Sequence, residues 1–176
     1  LDLQAKYDRI SRELADQAVA TLTDDADILV VAYGSMAGLA EAAVRAVRGR
    51  GVKAGLLRPR MVWPFPTGLL RRAARRARAV MVLEMSAGQM VEDVRLALVD
   101  AREITFFGRM GGMVPDEGEI IEQIERVHRQ QVLAPAPADF AARTRLLERE
   151  HYARRLPQAH PIPPEPRIER NFVAPR

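Results

Sequence analysis

Glu84, Ser86, Gln89, Glu92 and Asp93 fall within ten positions of one another. Side chains of these types could supply a nucleophilic serine, a paired general acid and base, or a divalent-metal site. Their spacing argues against all three. A serine nucleophile needs a base, and His128, His151 and His160 all lie in the last helical segment or the C-terminal tail. Glu92 and Asp93 are consecutive on a helical segment, so they point about 100° apart and do not converge on one ion. Glu84 ends the apolar run Ala79 to Leu83. A buried carboxylate there needs a cationic or N–H partner, and Arg58 and Arg109 are the candidate cations. No catalytic, cofactor-binding or metal-ligating residue is therefore assigned.

Three other stretches stand at corners of the chain. Gly34-Ser35-Met36-Ala37-Gly38 joins a strand to a helix, where free N–H groups could hold a phosphate or carboxylate. It lacks the G-x-G-x-x-G spacing, and Arg58 stands where a ribose-binding acid would be needed. Glycines for a tight turn and close helix packing explain the stretch as well. Arg58-Pro59-Arg60-Met61-Val62-Trp63-Pro64-Phe65-Pro66 sets two cations and two large aromatics among three prolines. It reads either as a rigid interface wedge or as a loop whose Trp63 and Phe65 fold back onto the core. Gly108-Arg109-Met110-Gly111-Gly112 could receive an anion or a neighbouring chain, or could serve as a plain connector.

The elements that must position these residues alternate. Leu3, Tyr7, Ile10 and Leu14 have helical spacing. Ile28 to Tyr33, Val52 to Leu57, Ala79 to Leu83 and Glu103 to Phe107 read as four strands, most of them buried. Between them lie a helix with Met36, Leu39, Ala40, Ala43, Val44 and Val47 on one face, a helix that Thr67 can cap, and a helix from Gln89 to Val99. Asp116 and Glu119 form a capping-box pair for a last helix reaching Gln130. Strands recurring about every 25 residues with helices between them predict an α/β fold with a mostly parallel, doubly wound sheet.

Composition narrows the function classes. The 176 residues contain no cysteine, so the chain offers no disulfide and no thiolate for a zinc or iron-sulfur centre. The net charge of +4 is largely a property of residues 133–176, which hold eight Arg against five acidic residues. The remainder is nearly neutral, which argues against nucleic acid as a partner. No apolar run is long enough to span a membrane, and no leader precedes the first helix, so a cytoplasmic protein is expected. Residues 133–176 are Pro- and Arg-rich and read as an extended tail.

Glu84-Met85-Ser86-Ala87-Gly88-Gln89-Met90-Val91-Glu92-Asp93-Val94-Arg95, with Arg58-Pro59 and Trp63-Pro64-Phe65-Pro66 before it and Gly108-Arg109-Met110-Gly111-Gly112 after it, resembles the alpha subunit of 2-oxoacid:ferredoxin oxidoreductases. The branched-chain (2-oxoisovalerate) and 2-oxoglutarate members are the most similar. The likeness runs from about Leu3 to about Val127 and covers the transketolase-C-terminal-like domain of that subunit. The chain departs from the family at Arg60, where an apolar or β-branched residue is usual, and at Ser86, where Asn is usual.

The resemblance implies a transketolase C-terminal-like fold and the division 1–22 connector helix, 23–132 α/β domain, 133–176 tail. A chain opening with Leu then reads as a piece of a longer or split subunit. The implied activity is oxidative decarboxylation of a 2-oxoacid with coenzyme A to an acyl-CoA, with reduction of ferredoxin. Thiamine pyrophosphate, Mg and iron-sulfur clusters are expected in partner subunits and none in this chain. The implied partners are the other subunits of a hetero-oligomer, and ferredoxin through the complex. This chain would brace subunits, with Arg58, Trp63, Phe65, Glu84, Gln89, Met90 and Arg109 as interface candidates. A non-enzymatic assembly or scaffold subunit, or a small-molecule-binding α/β module, is the alternative.

Overall fold

A computed structural model describes residues 2–98 and 103–133 of the chain. Five strands form one sheet in the order β1-β3-β2-β4-β5. They are β1 (Ala18–Thr21), β2 (Ile28–Ala32), β3 (Ala54–Pro59), β4 (Ala79–Glu84) and β5 (Ile104–Gly108). The β2–β3, β2–β4 and β4–β5 pairs are parallel, and β1 runs antiparallel along β3. The helices are α1 (Leu3–Glu13), α2 (Gly34–Gly49), α3 (Thr67–Ala73), α4 (Met90–Ala97) and α5 (Glu117–Val127), the last continuing as a π-turn, His128–Val132.

Strand parity explains the two layers. In β2 and β4 every residue is buried. Ile28, Val30, Met81 and Leu83 pack with Met36, Val44, Ile120 and Ile124 of α2 and α5. Leu29, Val31, Val80 and Val82 pack with Leu70, Val94 and Ala97 on the α3 and α4 side. A strand buried on both faces needs an unbroken apolar run, and the sequence supplies it. The chain reverses its direction of winding between β2 and β4, so their carboxyl ends form the topological switch point.

β1 is an addition to the four strands read from the sequence. It falls within residues 1–22, and its short run Ala18–Thr21 has a half-exposed pattern with no apolar signal. Its register on β3, Val19 opposite Arg58 and Thr21 opposite Leu56, fixes it as the sheet's antiparallel edge. Thr67 does not cap α3. Asp16, 53 residues earlier than Leu69, accepts from the Leu69 N–H at 2.9 Å and pairs with Arg72 at 3.3 Å. The Asp116–Glu119 capping box at α5 is present with both of its bonds. The expected tail lies outside the described residues beyond Leu133.

Candidate functional site

The carboxyl edge of β4 is organised by Glu84, whose side chain is fully buried. β4 alternates its faces, so Glu84 points to the α4 side with Val80 and Val82. The turn that follows contains Gly88 at φ +105°, a conformation that suits a residue without Cβ. This turn aims three backbone N–H groups back at the carboxylate. Gln89 and Met90 donate to Oε2 at 3.1 and 2.9 Å, and Val91 donates to Oε1 at 2.8 Å. Ser86 Oγ donates to Oε2 at 2.8 Å.

These N–H groups belong to the first turn of α4, which otherwise lack intrahelical acceptors. Gln89, at the cap position, makes no side-chain cap bond. Glu84 therefore caps α4 from the preceding strand, with a full negative charge at the positive end of the helix dipole. Charge-assisted bonds of this kind contribute about 1.5–3 kcal/mol each relative to an unmade one. Neither Arg58 nor Arg109 is the partner of this carboxylate; that expectation is corrected to three amides and a hydroxyl. The reason is reach: the turn brings main-chain donors within 3.1 Å, and Arg109 is engaged elsewhere.

Arg109 ties β5 to α5. Its backbone N–H donates to the Glu84 carbonyl at 3.0 Å, and its guanidinium donates to Glu119 at 2.6 Å. The guanidinium also lies over the Phe107 ring, 4.5 Å from its centroid. Glu119 is the distal half of the capping box, so Arg109 and the α5 N-terminus are one network. Gly108 is required beside it, because a Cβ at this position would stand 2.6 Å from the Ser86 carbonyl oxygen.

The remaining candidates separate into core and surface. Met90 is 3% exposed and serves the α4 core, and Phe65 is half-buried against the same cluster. Gln89 offers its backbone to Glu84 and leaves its side chain exposed. Trp63 is 52% exposed and meets Tyr7 of α1 edge-on at 5.6 Å between ring centroids. Arg58 is exposed at the end of β3. Met85, Met110, Met113 and Val114 are not among the seven interface candidates, although methionines in these loops suit an adaptable contact as well as a core. These four are exposed along the carboxyl ends of β4 and β5. Their signal was composition: three methionines and a valine beside glycines in loops.

Asp93, on the first turn of α4, has its carboxyl pushed above the ordinary aspartate range by burial, and further by the Glu84 and then the Glu92 carboxylates. Glu92 itself pairs with Arg95. No group of three or more His, Asp or Glu side chains gathers as a metal site among the described residues. The α4 N-terminus, a natural anchor for a diphosphate, is filled by the chain's own Glu84. The residues at this corner thus do not fit a thiamine diphosphate, and cysteine ligands for iron-sulfur clusters are absent from the sequence.

Residues 26–120 match the model of the pyruvate:ferredoxin oxidoreductase core domain II family. The chain belongs to that family. It is 39% identical over 125 residues to the ketoisovalerate oxidoreductase subunit VorB of Methanothermobacter thermautotrophicus, covering 71% of this chain and 35% of the relative. It is 36% identical over 102 residues to the 2-oxoglutarate synthase subunit KorA of Methanothermobacter marburgensis, covering 58% of this chain and 27% of the relative. The core domain II chain thus spans about a third of the length of these curated relatives.

Two solved structures share its fold. A 2-oxoglutarate:ferredoxin oxidoreductase from Magnetococcus marinus superposes with a TM-score of 0.59 at 18% identity, over 67% of this chain and 21% of the other. A split-gene transketolase superposes with a TM-score of 0.54 at 17% identity, over 66% and 42%. The transketolase C-terminal-like fold expected from the sequence is the fold observed. Among the described residues no helix is long and apolar enough to cross a membrane.

Proposed function

We propose that this core domain II chain is the subunit-bracing part of a 2-oxoacid:ferredoxin oxidoreductase alpha subunit, acting in a cytoplasmic hetero-oligomer. The assembly would convert a 2-oxoacid and coenzyme A to an acyl-CoA and carbon dioxide while reducing ferredoxin. Thiamine pyrophosphate, Mg and the iron-sulfur clusters belong in this reading to partner subunits. The observation that carries it is the exposed row Met85, Met110, Met113 and Val114 on a rigid edge. Beneath that row, Glu84 and Arg109 lock the corner by main-chain and ionic bonds. Unbranched, polarizable methionines on a fixed backbone suit an adaptable protein contact, and a pre-ordered edge lowers the cost of binding. The identity to VorB and KorA subunits supports the same reading.

The test is mild affinity capture of the chain from extract of its own source, with mass spectrometry of the companions and an assay of coenzyme-A-dependent 2-oxoacid oxidation. Thiamine- and iron-sulfur-bearing companions together with activity support the reading. Capture of a single unrelated protein without activity overturns it.

A further inference from the structure

α2 packs over β2, β3 and β4, and β1 continues the sheet past β3 at its edge. This leaves a cleft of about 540 Å³ on the α2 side, floored by Val19 and Leu56 and walled by Tyr33 and Val62. Val19 is 38% exposed and Val62 53% exposed, so part of the lining is apolar surface open to solvent. Arg58 and Arg60, two positions apart along the chain, both line the cleft. Neither guanidinium has a hydrogen bond or ion pair among the described residues. The Arg60 N–H donates to the Gln17 carbonyl at 2.8 Å, so the backbone beneath these side chains is held by the β1 segment. Glu41 also borders the cleft, but its carboxylate is engaged by Arg45 at 2.9 Å.

We infer that this cleft binds a small organic anion, with a phosphate or carboxylate held by Arg58 and Arg60 and an apolar body lying over Val19 and Val62. Guanidinium pairs grip such groups through parallel N–H bonds. A cleft of this volume lies within the roughly 300–1,000 Å³ range of small-ligand sites. Cation alone would favour any anion equally, whereas the exposed valines select one with an apolar part. The cleft is built from β1, β3, the loop after β3 and the corner from Tyr33 into α2. It shares none of the Met-lined edge that bears the subunit contact.

The experiment is an amide NMR titration of the full chain with inorganic phosphate, phenyl phosphate and benzoate. Phenyl phosphate is expected to give saturable shifts at Val19, Tyr33 and Val62, with binding about tenfold tighter than inorganic phosphate because its ring covers apolar surface. The ratio of phenyl phosphate to benzoate identifies the preferred head group. R58Q/R60Q should weaken phenyl phosphate at least tenfold while leaving the spectrum of the core unchanged, since both side chains are exposed. R75Q/R78Q, which removes the same two charges from the exposed segment after α3, should leave binding as it is. Absence of saturable shifts at these residues overturns the inference, as does equal weakening by R75Q/R78Q. Equal binding of phosphate and phenyl phosphate overturns the apolar half of the site.

Discussion

Ser86 Oγ donates to Glu84 Oε2 at 2.8 Å, joining at one carboxylate the three amides that open α4. The pair is a helix cap assembled across a strand-to-helix turn. Its consequence is measurable as stability.

Glu84→Gln retains the shape but replaces one oxygen with an NH2 donor, which must face either the Val91 amide or those of Gln89 and Met90. The expected cost is about 2–3 kcal/mol, lowering the midpoint of thermal unfolding by roughly 5–15 °C. Ser86→Ala, losing one bond, should cost about 1 kcal/mol. Chemical denaturation of both variants checks the ranking. A Glu84→Gln loss no larger than that of Ser86→Ala would show that the amides do not depend on the carboxylate.

The raised carboxyl of Asp93 gives a pH dependence of definite sign. The native state holds this proton more readily than the unfolded chain, so the Asp93 contribution favours folding as pH falls through the raised value. Above that value the ionised group weighs against the native state. Relative to Asp93→Asn, the parent should lose stability as pH rises from about 3 to 7, levelling once Asp93 is ionised in both states. Urea unfolding across that range measures the difference. In Glu84→Gln the larger of the two carboxylate repulsions is gone, and the Asp93 carboxyl should titrate lower by carbon-13 NMR.

Gly108→Ala places a Cβ 2.6 Å from the Ser86 carbonyl oxygen. β4 and β5 must part to admit it, which strains the Arg109 N–H to Glu84 carbonyl bond of 3.0 Å. A loss of about 1–3 kcal/mol is expected. Faster amide exchange at Arg109 would locate the damage.

Met113→Glu and Met110→Glu test the edge. Each side chain is about two-thirds exposed, at 66% and 64%, so stability should change by less than about 0.5 kcal/mol. Partner retention in the affinity capture should nevertheless fall sharply, because a charge is set into an apolar contact. Met90→Ala should do the reverse, costing about 2–5 kcal/mol through a core cavity.

Burial made most of the sheet legible in advance. Ile28–Ala32 and Ala79–Glu84 are buried throughout, and an unbroken apolar run bounded by turns reads as a strand without further information. β1 was illegible because Ala18–Thr21 gains its place from pairing with β3 alone. Asp116 and Glu119 could be read as a cap because both partners are local. Asp16 and Glu84 could not, since the helix of Glu84 begins across a turn and that of Asp16 lies beyond β1, β2, α2 and β3. For Glu84, burial and the need for a partner were foreseeable from its position after Leu83. That the partner was main chain depended on the path of the turn through Gly88, which residue types do not specify. The anion cleft was half visible: Arg58 and Arg60 stood out, but Val19 of its floor belongs to the strand that the sequence concealed.

None of the side chains of α1 is buried, and its ring contact with the domain is the one between Tyr7 and Trp63. An isolated helix of 11 residues is marginal in water. The described residues therefore form two cooperative units, an α1 that opens at almost no cost and a sheet whose β2 opens only with the whole domain. Amides from Lys6 to Arg12 should exchange orders of magnitude sooner than those from Leu29 to Val31. Any molecule that covers Leu3 and Tyr7 would register first as slowed exchange in α1, making that helix a built-in reporter of assembly.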